Sequence, residues 1–118
     1  DLRTINPLDW RTVMISVGKT GRILALDSGA TTGSVAGEVV ARVTMELFDQ
    51  LKAAPARLAM PDIPEPTSSA LTKGFYVRAV DVAEKVLHVM DIESHSLKKI
   101  LPELTMHDVP GDWFKGPF

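Results

Sequence analysis

The sequence predicts an α/β domain built on a small, mainly parallel sheet covered by helices. Three observations carry this. Amphipathic segments alternate along the chain with short strand candidates, of which Ile23-Leu24-Ala25-Leu26 is wholly apolar. That run is bounded by Gly21 and by Asp27-Ser28-Gly29, as a buried strand is. The order strand, helix, strand, helix, strand, helix is that of parallel strands joined by crossover helices.

Asp1-Leu2-Arg3-Thr4-Ile5 reads as the tail of a strand, so the chain is expected to be a piece cut from a longer one. Asn6-Pro7 turns the chain, and Asp9 can cap a helix. Trp10, Val13, Met14 and Val17 then recur at i, i+3, i+4, i+7 and form one apolar face. Gly18 and Gly21 bracket Lys19-Thr20 as a helix stop. Ile23-Leu24-Ala25-Leu26 is a strand expected to be buried on both faces.

A loop over 29–34 follows, and then a helix to about Leu51. Val39, Val43 and Leu47 share one face, which Val40 widens. Small Ala36, Gly37 and Ala41 imply close packing. Pro55 ends this region, and Arg57-Leu58-Ala59-Met60 is the third strand candidate. Pro61, Pro64 and Pro66 exclude regular structure from 61–66, because proline removes backbone donors and holds the chain extended. Residues 68–76 read as a turn with a short helical piece. Val80, Val82, Ala83, Val86, Leu87 and Met90 mark a last long helix, with Asp81 suited to its N-terminal dipole. A short helix is read over 97–101, stopped by Pro102. The tail over 109–118, with Trp113, Phe114 and Phe118, is expected to pack on its own or a neighbouring chain.

The chain has 118 residues, enough for one domain. With 45% hydrophobic and 24% charged residues it has the composition of a packed domain and not of a disordered one. Thirteen Lys and Arg against 15 Asp and Glu give a net charge of -2 with no basic cluster, so nucleic acid is not an expected partner. No apolar run approaches the roughly 20 residues that span a bilayer, so no membrane partner is expected. Cysteine is absent, which excludes disulfides, thiolate nucleophiles and cysteine zinc sites. That fits a reducing compartment, and a cytoplasmic location is the expectation.

Three constellations could carry chemistry. Gly29, Gly33 and Gly37 lie between a strand and a helix, where free backbone N–H groups can hold an anion. They match neither the dinucleotide fingerprint nor the phosphate loop. Asp27, at the carboxyl end of its strand, and Glu38 on the following helix could do acid–base work. The alternative is a turn-closing Asp27 and a locally paired Glu38. His88, His95 and His107 match no metal-ligand spacing. Ser28 lacks the nucleophile elbow.

Taken in order, several stretches resemble the β subunits of thiamine-diphosphate-dependent 2-oxo acid dehydrogenases. These are Asp1-Leu2-Arg3-Thr4 with Pro7-Leu8-Asp9, Lys19-Thr20-Gly21-Arg22, the Thr-Gly loop after the strand, Ala36-Gly37-Glu38, Pro61-Asp62-Ile63-Pro64-Glu65-Pro66 and Leu71-Thr72-Lys73-Gly74-Phe75-Tyr76. The last also resembles their acetoin-cleaving relatives. The match spans about residues 1–90, and 91–118 reads as a C-terminal extension.

The resemblance implies a transketolase C-terminal-like domain lacking its first strand and helix. It implies thiamine diphosphate and Mg²⁺ in the parent enzyme, bound outside this fragment. The parent would decarboxylate a 2-oxo acid and pass the acyl group to lipoamide. The implied partners are a second copy of the chain, the parent's α subunit and, in the pyruvate dehydrogenase branch, the dihydrolipoyl acyltransferase core. The fragment would be inactive alone and would expose a strand edge and an apolar face. Gly29, Thr31, Thr32, Gly33, Asp62, Pro64, Glu65 and Pro66 are the candidate interface residues. The competing expectation is a standalone anion- or nucleotide-binding module using the Gly29–Gly37 junction.

Overall fold

The computed structural model describes residues 1–93 and 97. The helix read over 97–101, apart from Leu97, lies outside the described residues, as do His95, His107 and the tail over 109–118. The elements are α1 (Trp10–Thr20), β1 (Leu24–Ala30), α2 (Val35–Leu47) with a 3-10 turn at Phe48–Gln50, β2 (Ala56–Met60) and α3 (Ala79–Met90).

Helix α1 starts where the sequence places it. The Asp9 carboxylate accepts the Thr12 amide at 3.1 Å and the Thr12 hydroxyl at 2.6 Å. It ends at Gly21, which adopts a left-handed φ of 69° and donates its amide to the Val17 carbonyl. Gly18 lies inside the helix and takes no part in the stop. Ser34 caps α2 by accepting the Gly37 amide at 3.1 Å. At α3 the Arg78 amide donates to the Asp81 carboxylate at 2.7 Å. Asp91 closes α3 in the left-handed region.

The strands β1 and β2 run parallel, in the register Leu24–Ala56, Ala25–Arg57 and Leu26–Leu58. The next pair is Ala30–Met60, so four residues of β1 advance against two of β2. This bulge takes up Asp27, Ser28 and Gly29, which the sequence assigns to a turn and loop. Helix α2 packs on both strands, and α1 packs on α2. Leu8, Val17, Val39 and Val43 form the core, with Trp10, Val13, Met14, Ile23 and Leu47 against it. The apolar faces read from the helical spacing of α1 and α2 are therefore the ones buried. Ala36 is buried, whereas Ala41 faces solvent.

Several expectations need correction. Residues 1–5 form no strand. An extended segment needs a neighbour for its backbone groups, and this one instead closes a turn in which the Thr4 hydroxyl donates to the Pro7 carbonyl at 2.6 Å. The described sheet therefore has two strands and not three.

Nor is β1 buried on both faces. Asp27 reaches the start of α2, so Leu24 and Leu26 take the opposite face, by the two-residue alternation of a strand. Leu24 lines an apolar groove with Val86, Val89 and Met90 of α3, but α3 leaves Leu26 56% exposed. For the same reason Val86 and Met90, read as core positions, are 42% and 46% exposed, and Val89 is the buried residue of α3.

The proline segment is not extended throughout. The Ile63 amide turns back to the Pro61 carbonyl at 2.8 Å.

Candidate functional site

Parallel strands deliver their carboxyl ends to one side of the sheet, and open α/β sheets place their sites there. The loop after β1 and the proline segment after β2 meet at this edge. Thr31 makes the first link, since its amide and its hydroxyl both donate to the Met60 carbonyl at 2.8 Å. Thr32 makes the second. Its amide donates to Asp62 Oδ1 at 2.8 Å and its hydroxyl to Asp62 Oδ2 at 2.6 Å. Arg57 of β2 adds a third, donating to the Thr31 carbonyl at 3.1 Å. The Thr32 hydroxyl, and then its amide, hold the Asp62 carboxyl below the usual aspartate range.

Asp27 closes the other half of the junction. Its Oδ1 accepts the Gly29 amide at 2.9 Å, and its Oδ2 accepts the Ala36 amide in the first turn of α2 at 3.1 Å. These two donors lower its pKa, Gly29 most and Ala36 next. A helix N-terminus attracts anions through such free amides. At α2 one is taken by the chain's own carboxylate and another by Ser34. The Gly29–Gly37 junction is thus a filled anion position. Gly37 leaves room for the Arg57 guanidinium, which a Cβ there would approach to 2.8 Å.

The Asp27–Glu38 acid–base pair does not form. Both Asp27 oxygens serve backbone amides, and Glu38 is exposed on α2. Among the described residues no three His, Cys, Asp or Glu side chains gather to hold a metal ion. His88 is exposed on α3.

The candidate interface residues divide by exposure. Thr32, Gly33, Asp62, Pro64 and Glu65 are exposed, while Gly29, Thr31 and Pro66 are half-buried. Their charges are largely spoken for, since Asp62 serves Thr32 and Glu65 Oε1 accepts the Tyr76 hydroxyl at 2.7 Å. Sequence reasoning missed Arg57 and Tyr76, the residues that hold the two loops from beneath. Each acts across 11 or more positions, beyond any local pattern. Between the proline segment and residues 74–81 lies a cleft of about 520 Å³, lined by Thr31, Leu58, Pro61, Phe75, Tyr76 and Arg78 among others. The apolar groove between β1 and α3 encloses about 430 Å³. No helix among the described residues is long and apolar enough to cross a membrane.

Comparison with known proteins bears on this arrangement. The family described as "Transketolase, C-terminal domain" matches residues 1–82. A pyruvate dehydrogenase E1 component subunit beta from Mycoplasma pneumoniae is 53% identical over 66 residues, covering 56% of this chain and 20% of the relative. The protein of the same name from Rhizobium meliloti is 38% identical over 86 residues, covering 73% of this chain and 19% of the relative. An acetoin:2,6-dichlorophenolindophenol oxidoreductase subunit beta from Cupriavidus necator is 33% identical over 95 residues, covering 80% and 28%. The chain thus spans between 19% and 28% of the length of these relatives.

Proposed function

The chain belongs to the transketolase C-terminal domain family, and from that premise we propose that it is the C-terminal region of the β subunit of a thiamine-diphosphate-dependent 2-oxo acid dehydrogenase, serving assembly and docking and not the chemical step. The parent enzyme decarboxylates a 2-oxo acid and passes the acyl group to lipoamide. Its α subunit and a second copy of the chain are the partners this reading requires. The dihydrolipoyl acyltransferase core is a third in the pyruvate dehydrogenase branch.

The observation that carries the reading is the incomplete cover of a two-stranded sheet. Leu26 stands 56% exposed beside a groove lined by Leu24, Val86, Val89 and Met90. Exposed strand edges and contiguous apolar surface are features of proteins that associate. The start of α2 does not suit the diphosphate of thiamine diphosphate. Its Ala36 amide is held by the Asp27 carboxylate, which repels such a group. In this reading the cofactor is held by other parts of the parent.

The test is the mass of the 118-residue chain in solution at several concentrations, beside a Leu26→Asp variant. A dimer or larger species that the variant converts to monomer is the expected result. A monomeric wild-type chain that binds a nucleotide or turns over substrate alone overturns the proposal. The anion-binding alternative predicts saturable binding of inorganic phosphate to the wild-type chain, which the filled position at α2 argues against.

A further inference from the structure

No further inference is drawn: the strongest candidate, the apolar groove between β1 and α3 lined by Leu24, Val86, Val89 and Met90, belongs to the assembly face already proposed, and nothing among the described residues shows what covers it.

Discussion

The Asp62 carboxylate grips Thr32 with both oxygens, taking its amide at 2.8 Å and its hydroxyl at 2.6 Å. Thirty positions separate the two residues. Their pairing joins the loop after β1 to the proline segment after β2, so the two stretches form one edge of the molecule. Hydrogen bonds to an ionised acceptor are shorter and stronger than neutral ones, and here one carboxylate makes two of them.

Replacing Asp62 by Asn keeps one acceptor oxygen and puts an NH₂ donor in place of the other. That NH₂ can donate to the Thr32 hydroxyl oxygen while the remaining oxygen still accepts the Thr32 amide, so both bonds become neutral and weaker. The Thr32 amide is expected to exchange its hydrogen faster in Asp62→Asn than in the wild type, with amides of α2 unchanged. Equal protection of Thr32 in both proteins would show that the charge of the Asp62 carboxylate does not hold the loop.

Acid should weaken the fold through Asp62 and Asp27, whose pKa values are both lowered by the groups they accept from. A carboxyl with a depressed folded pKa stabilises the fold above its unfolded value. That contribution disappears as pH falls through the folded value. Stability is therefore expected to be flat above pH ~5, and to decline below about 4, the ordinary aspartate value, and on into the depressed range. Thermal unfolding followed between pH 3 and 6 by circular dichroism checks this. The Asp62→Asn variant should show a shallower decline than the wild type.

Gly21 cannot be replaced without strain. Its φ is 69°, and a Cβ there would lie 2.8 Å from the Gln50 carbonyl oxygen. Backbone strain of this kind costs about 1–3 kcal/mol, before the clash is counted. Gly21→Ala is expected to lower the urea midpoint by a corresponding amount, compared at a fixed protein concentration. Gly33 also has a positive φ, of 75°, but open space around it. Gly33→Ala should therefore cost less than Gly21→Ala.

Two apolar residues of α2 should respond in opposite ways to truncation. Val43 is fully buried, whereas Met45 is 77% exposed. Val43→Ala removes two buried methyl groups and leaves a cavity, at a cost of about 2 kcal/mol. Met45→Ala is expected to stay within about 0.5 kcal/mol of the wild type. Equal losses in urea unfolding would mean that the Met45 face is covered in solution, and would extend the association surface to α2.

The helices were legible in the sequence because a helix closes its hydrogen bonds within a few residues. Asp9 as the cap of α1, Gly21 as its stop, and the faces carrying Val13, Val17, Val39 and Val43 all follow from local spacing. Motif order was legible too, and it carried the family assignment that the match over residues 1–82 bears out.

Tertiary structure decided the rest. A strand exists only where a neighbour takes its backbone groups, so Leu24-Ala25-Leu26 became part of β1 while Asp1-Leu2-Arg3-Thr4-Ile5 formed none. Apolar character could not say whether Leu26 is covered, because cover depends on which elements pack over it. The site depended on the same kind of distant information. Asp27 reads as a turn closer before an acid–base residue, and the choice is made only when α2 sets the Ala36 amide 3.1 Å from its carboxylate. Thr32 and Asp62 carry no mutual signal along the chain. Only two parallel strands ending side by side bring them within hydrogen-bonding distance.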